Sequence, residues 1–566
     1  MKGSQIPIIL SFLFLIIFII PIFYLVYGSA FFQLGGPSLT WQTFRQIITS
    51  SQTGSLLVNT LVFAIGGGVF ATVLATIYAW IIIRTDVPGK RVLELLPILP
   101  LTMPFLVKAF AWMYLFSPQT GIVNILFHQL TGIGTLFNIF TMPGLIFAIG
   151  TGGIPLAYLT IEPAVKSMNP ALEEASRISG NGVLKTLFRV TIPVLIPSIL
   201  SAFLLLMIIG LTNFDYPYML GRYAGIDTLA TQVYYSISES QPARYGDAAI
   251  YSVLFTIMSL VIVGIYIYVT RNAFKFVVVT GKAARETVHK LHGWKYVALG
   301  ICFLIMFFSF LLPYGTLVLM SLTPFLSFAG GIIQFSFTWS NYVNALALPL
   351  FYTSIVNSVV LGVVSALIGT VLAAFLSYAA LKSKVKGARV VDVISSIPMA
   401  FPGIVYGLAM YWTFLLLPVV NFLYGTIWPL IAALVFIRLP YSVRMVSGSL
   451  IQISDELEES SRVAGASWGR TFYKIVLPLM RRGMLNSFVY AFVNSLRELG
   501  AVVLLATGNS IVFMTLLLQL QSQHALAINL VAAASVFLSI FIMIALSIPS
   551  LVQYVSSRRK ARSPKG

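Results

Sequence analysis

The sequence predicts an all-α polytopic membrane protein of about twelve transmembrane helices in two parallel six-helix repeats. Three observations predict it. Hydrophobic residues make up 58% of the 566-residue chain and charged residues only 9%, far below the quarter expected of a soluble domain. Apolar runs of roughly 20 residues, enough to cross ~30 Å of hydrocarbon, recur throughout. A polar segment, Leu172-Glu173-Glu174-Ala175-Ser176-Arg177-Ile178-Ser179-Gly180, returns as Leu457-Glu458-Glu459-Ser460-Ser461-Arg462-Val463-Ala464-Gly465, each position displaced by 285 residues.

In the first half, spans fall near residues 8–30, 56–82, 95–117, 137–161, 194–214 and 249–270; in the second, near 296–321, 354–381, 392–417, 424–446, 484–506 and 526–553. The first run, Ile8 to Tyr27, has Lys2 ahead and Gly28-Ser29-Ala30 behind, the outline of a signal peptide. Its apolar length exceeds a typical h-region, so an uncleaved span is expected. The single cysteine, Cys302, lies inside an apolar run, which leaves no disulfide framework or cysteine metal site.

The net charge of +19 does not form one basic patch with interleaved aromatics, which argues against nucleic acid. Basic residues cluster instead at Arg84, Lys90 and Arg91; at Lys166, Arg177, Lys185 and Arg189; between Arg271 and Lys295; at Lys382, Lys384, Lys386 and Arg389; at Arg462, Arg470, Lys474, Arg481 and Arg482; and at Arg558 to Arg562. Each cluster follows an even-numbered span. The positive-inside rule therefore makes these loops and both termini cytoplasmic.

The repeat extends beyond the polar segment. Pro155 and Pro440 are also 285 apart, while Asn59 and Asn357, Gly89 and Gly387, Pro100 and Pro398, and Pro104 and Pro402 are 298 apart. The copies run in the same direction, as parallel repeats about an axis along the membrane normal. This divides the chain into a first half, 1–275, a cytoplasmic connector, 276–295, and a second half, 296–566. The prolines are expected to kink their spans without a chemical role.

Each polar segment, 169–193 and 454–478, opens with a helix start signal, Asn169-Pro170 or Ser454-Asp455. Gly180 and Gly465 stand where a helix ends in a left-handed turn. Pro193 and Pro478 then begin the next span. Small residues permit close approach by another protein, and Glu174 and Glu459 can accept charge-assisted hydrogen bonds. A solvated loop is the alternative, since charge runs usually are solvated. Spacing kept across two diverged copies favours docking.

Glu174-Ala175-Ser176, Gly180 and Val190-Thr191-Ile192-Pro193, with Glu459-Ser460-Ser461, Gly465 and Ile475-Val476-Leu477-Pro478, resemble the EAA motif of ATP-binding-cassette importer permeases. Both copies carry Ser where Ala is usual. The resemblance covers nearly the whole chain, and the two fused halves look like the ferric-iron permeases, which stand close to permeases for thiamine, polyamines, phosphonates and sulfate or molybdate. It implies that each segment is a coupling helix seated in a cleft of an ATP-binding subunit, with Glu174, Ala175, Arg177, Gly180, Pro193, Glu459, Ser460, Arg462, Gly465 and Pro478 as its coupling residues. It implies two such subunits, a homodimer holding ATP and Mg, an extracytoplasmic substrate-binding protein, and a bacterial or archaeal-type plasma (inner) membrane.

The chain itself shows no cofactor signature. It contains no G-x-x-x-x-G-K-[ST] phosphate loop, since Gly89-Lys90 and Gly281-Lys282 have the wrong surroundings. His128, His289, His292 and His524 are scattered, and none belongs to a zinc-type or nucleophile-base pattern. Hydrolysis is thus expected in separate subunits, and an intramembrane enzyme is remote.

Ionisable residues within spans mark a pathway or a buried pair. Lys108 falls in the third span, Asp215 near the outer end of the fifth, and Arg497 and Glu498 in the eleventh. Thr212 matches Arg497 and Asn213 matches Glu498 at the 285 offset. In the family resembled, that span lines the translocation path, which makes Lys108, Asn213, Asp215, Arg497 and Glu498 the path candidates. Alternatively, Arg497 or Lys108 neutralises Glu498 or Asp215. The outer loops, 31–54, 215–248 and 323–353, are polar and aromatic, and Tyr216, Tyr218, Tyr223, Tyr234 and Tyr235 read as a membrane-interface belt or as a rim for a binding protein. No dense acidic or histidine cluster would hold iron. The expected cargo is ferric iron or an iron complex; an anionic substrate (phosphonate, phosphate ester, sulfate-like oxyanion), thiamine or a polyamine are alternatives, and an ion-coupled secondary transporter is the rival class.

Overall fold

The computed structural model describes residues 17–27, 41–273, 288–324, 336–382, 395–523 and 528–562. The cluster Lys384, Lys386 and Arg389, Gly281, Lys282, Gly387, and His524 lie outside these residues. Fourteen of the helices within the described residues organise the chain. In the first half they are α1 (Ile17–Tyr27), α2 (Ser51–Arg84), α3 (Phe105–Phe116), α4 (Met142–Ser167), α5 (Ala171–Ile178), α6 (Ile192–Thr212) and α7 (Tyr245–Ala273). Then follow α8 (His292–Ser321), α9 (Pro349–Lys382), α10 (Gly403–Leu416), α11 (Trp428–Leu450), α12 (Asp455–Val463), α13 (Leu477–Leu496) and α14 (Ile528–Arg562).

Among the described residues, eight helices are long and apolar enough to cross a membrane. The other expected spans differ for identifiable reasons. The third is bent by 95° between Lys90–Thr102 and α3. Pro97, Pro100 and Pro104 withhold amide donors there, and a tight 3-10 stretch, Leu96–Thr102, replaces the α-helix. In the ninth a shorter 3-10 stretch, Ile397–Ala400, precedes α10. The eleventh, expected to run through residue 506, stops at Leu496. The segment beyond it is buried but not helical: Leu499, Ala501 and Val502 are at most 1% exposed.

The helices pack into two compact units. One holds Thr49–Thr231 and Ile257–Asn341; the other holds Met1–Ile48, Gln232–Thr256 and Tyr342–Gly566. In the former, α2 packs on α4 and α6, with Ala71, Ala75, Tyr78, Tyr158, Cys302 and Met306 in one core. In the latter, α9, α11 and α13 pack together, and Phe18 of α1 stacks on Tyr406 of α10 at 5.7 Å between ring centroids. The sequence halves and the packed units are different partitions: α1 packs with second-half helices and α8 with first-half helices. Gly407 marks a close backbone approach, since a Cβ there would meet Ala501 O at 2.5 Å.

Candidate functional site

The two polar segments fold alike. Asn169 Oδ1 accepts from Ala171 N at 3.0 Å to start α5, and Ser454 Oγ accepts from Glu456 N at 3.3 Å to start α12. Both helices close in a Schellman turn, with Gly180 at φ +83° and Gly465 at φ +79°. In each, a hydroxyl pair fixes the following elbow: Ser176 to Thr186 at 3.0 Å, and Ser461 to Thr471 at 2.9 Å. A π-helical turn comes next, Leu187–Thr191 or Phe472–Val476, before Pro193 or Pro478 in the first turn of α6 or α13.

The side chain that anchors each helix is the first glutamate, which the motif resemblance does not single out. Glu173 is fully buried. Its Oε1 accepts from Thr191 Oγ1 at 2.6 Å, and its Oε2 lies 3.3 Å from His289 Nε2 and 3.8 Å from Arg84 Nε. Burial pushes this carboxyl up, but hydrogen bonds from His289 and Thr191 and the Arg84 charge outweigh it, so its pKa lies below the ordinary value. Arg84 also donates to Val165 O and Met168 O at 2.8 and 2.9 Å. In the second copy, Glu458 is 5% exposed and accepts from Tyr378 Oη at 2.8 Å. Lys382, 298 residues after Arg84, lies 4.0 Å from Glu458, bonds Asp455, and donates to Ile453 O at 2.7 Å.

The predicted coupling residues face outward from these anchors. Glu174, Ala175, Pro193, Glu459, Ser460 and Pro478 are exposed. Ile178 and Val463, at matched positions, are 88% and 89% exposed. Arg177 reaches back to His289 Nδ1 at 3.3 Å, and Arg462 to Glu458 at 3.9 Å. His289, isolated in the sequence, thus belongs to the Glu173 cluster.

At the other end of the adjoining spans the copies also match. α13, at 20 residues, is about 30 Å long, one membrane thickness. Asn213 caps α6, and its Oδ1 accepts from Tyr216 N at 3.0 Å. Glu498 Oε1 accepts from Ala501 N at 3.3 Å. Arg497 is the cap of α13, outside the helix in which it was expected. The partner of Glu498 is Arg438 of α11, an ionisable residue inside the expected span 424–446 that was not among the path candidates; Arg438 also donates to Asn494 O at 3.0 Å. Lys108 is 2% exposed and donates to Thr151 O at 3.3 Å, where Ser309 Oγ also donates at 2.9 Å. That carbonyl is available because Pro155, four residues on, has no N–H. Asp215 is 8% exposed. Tyr216 and Tyr218 are buried, which removes them from a belt or rim, whereas Tyr223 is 62% exposed. Among the described residues, no three His, Cys, Asp or Glu side chains gather as a metal would require.

A family model described as the binding-protein-dependent transport system inner membrane component matches the chain twice, over residues 68–275 and 369–562. The putative ferric transport system permease protein FbpB 1 of Haemophilus influenzae is 27% identical over 498 residues, covering 86% of this chain and 76% of that protein. The Fe(3+)-transport system permease protein FbpB 2 of the same organism is 24% identical over 467 residues, covering 82% and 83%. A probable sulfate transport system permease protein cysT of Helicosporidium is 27% identical over 180 residues, covering 30% and 66%.

Proposed function

Because the chain belongs to the family of binding-protein-dependent transport system inner membrane components, we propose that it is the permease subunit of an ATP-driven importer for ferric iron or an iron complex. The observation that carries the importer reading is the pair of buried-glutamate anchors, Glu173 and Glu458, each presenting an outward helix face at the same repeat position. Two ATP-binding subunits, a homodimer holding ATP and Mg, dock on α5 and α12 from the cytoplasm, where both termini also lie. An extracytoplasmic binding protein delivers the cargo. Closure of the ATPase dimer moves α5 and α12, and differential contacts in the two states open the path outward.

The turn at Asn213, with Asp215, and the turn at Glu498, with Arg497, each lie one span away from the docking helix of the same unit, which puts each toward the outward end of its own unit. Lys108 serves the fold by holding Thr151 O. Ferric iron is favoured by two ferric transport permease relatives that each match more than four fifths of this chain. An oxyanion is the second reading, favoured by the sulfate permease similarity and by the basic residues Arg438 and Arg497 near the second turn.

The test is reconstitution of the chain with its ATPase and binding protein in liposomes. ATP-dependent uptake of ferric iron from the loaded binding protein is expected. Uptake without the ATPase subunits would establish a secondary transporter instead, and uptake of sulfate but not iron would establish the oxyanion reading.

A further inference from the structure

The connector between the halves ends in a stretch bound to the end of α2. His289 N donates to Arg84 O at 2.8 Å, Asp86 N donates to His289 O at 3.2 Å, and Leu291 N donates to Asp86 Oδ1 at 2.8 Å. This backbone pairing buries the His289 ring, 3% exposed, beneath α5. Arg177 can only donate, so His289 Nδ1 accepts from it, which leaves the Nε2–H on the side of Glu173 Oε2, 3.3 Å away. Directly afterwards the chain enters α8, whose Ser309 reaches the Thr151 carbonyl that Lys108 also holds. The second copy is secured differently: Tyr378 and Lys382 both come from α9, and Arg462 from α12 itself.

We propose that residues 288–291 form a strap that carries movement of the first coupling helix into α8, with His289 as the positioning residue for Glu173. Glu173 is thereby tied to α2 through Arg84, to the entrance of α6 through Thr191 and to α8 through His289, whereas Glu458 is tied chiefly to α9. The two ATPase docking sites are therefore mechanically unequal, although their outer faces match. A hydrogen-bonded chain into a packed helix can bias a two-state element in this way.

The inference rests on the importer reading, and the experiment separates the two. In the reconstituted transporter the measured quantity is substrate moved per ATP hydrolysed. His289→Ala should lower it about tenfold, the loss of one polar contact to a buried carboxylate, while His289→Gln, which keeps a donor, should rescue it. Thr191→Val also removes a hydrogen bond from Glu173 but leaves the strap, and Val476 occupies the matched position naturally; its ratio should fall less than that of His289→Ala. A wild-type ratio in His289→Ala, or an equal fall in His289→Gln or Thr191→Val, overturns the strap. Should His289→Ala fail to assemble, amide exchange in the unmodified transporter decides: residues 288–295 should change protection together with 171–178 between nucleotide-free and ATP-bound states, and unchanged protection of 288–295 overturns the proposal. Absence of ATP-dependent uptake in the wild type would instead overturn the importer reading and the strap with it.

Discussion

Asn213 and Glu498, 285 residues apart, brace the backbone in the same way, each side-chain oxygen accepting the N–H three residues on, from Tyr216 at 3.0 Å and from Ala501 at 3.3 Å. One is neutral and the other charged. The turn itself therefore needs only an oxygen acceptor, and the charge of Glu498 answers to Arg438.

This separates shape from charge. Glu498→Gln should keep the turn, as Asn213 does, but strand the Arg438 guanidinium and destabilise the protein by about 3 kcal/mol. Adding Arg438→Met should recover most of that, giving a coupling energy above about 1 kcal/mol in a thermal-unfolding double-mutant cycle. Additive losses would show that the pair does not act as one unit.

Removing the first anchor should cost more than removing the second. Glu173→Ala leaves the buried Arg84 guanidinium without its counter-charge and the His289 ring N–H without its acceptor, a loss of about 3–5 kcal/mol. Lys382 keeps Asp455 and Ile453 O, so Glu458→Ala should cost about 1–3 kcal/mol. Melting temperatures and co-purification of the ATPase subunit check this ordering.

The anchor of α5 should tolerate mild acid. Its folded pKa is depressed, so the stabilisation it supplies is fully present above the ordinary carboxylate value of about 4.3 and is lost as pH falls through the lower folded value. Amide protection of residues 171–178, corrected for intrinsic exchange, should hold from neutral pH down to about pH 5 and fall only below about pH 4. Loss near pH 6 would contradict it.

Lys108→Met should lower stability by about 1–3 kcal/mol, since the carbonyl freed by Pro155 loses a charged donor, while the KM for transport stays unchanged. A raised KM with unchanged stability would return Lys108 to the path.

What the sequence made legible was whatever the repeat preserved: the helix starts, the left-handed glycines, the elbow and the Asn213–Glu498 correspondence all recur at one offset. The buried glutamates escaped because motif resemblance favoured Glu174 and Glu459, and only helical phase against the end of α2 or α9 decides which carboxylate points inward. A signal existed, since Arg84 and Lys382 share the 298 offset of Asn59 and Asn357. Arg438 had no repeat signal, since its repeat position is Gly153. Its charge within an apolar run was a signal of another kind, and packing against α13 identifies its partner. The proline breaks in the third and ninth spans were legible from the prolines themselves, but the early end of the eleventh was hidden because hydropathy averages over a window.

The stacking of Phe18 on Tyr406 sets a schedule for synthesis. The two rings are 388 residues apart in the chain, and at ribosomal rates the first leaves the exit tunnel about 20 to 80 s before the second exists. During that interval α1 sits in the bilayer without its eventual neighbours, and neither packed unit is complete when the first half has emerged. Biogenesis must therefore shelter an orphan helix until α10 arrives, and a premature stop between the halves yields a chain that lacks the partner of its own first helix.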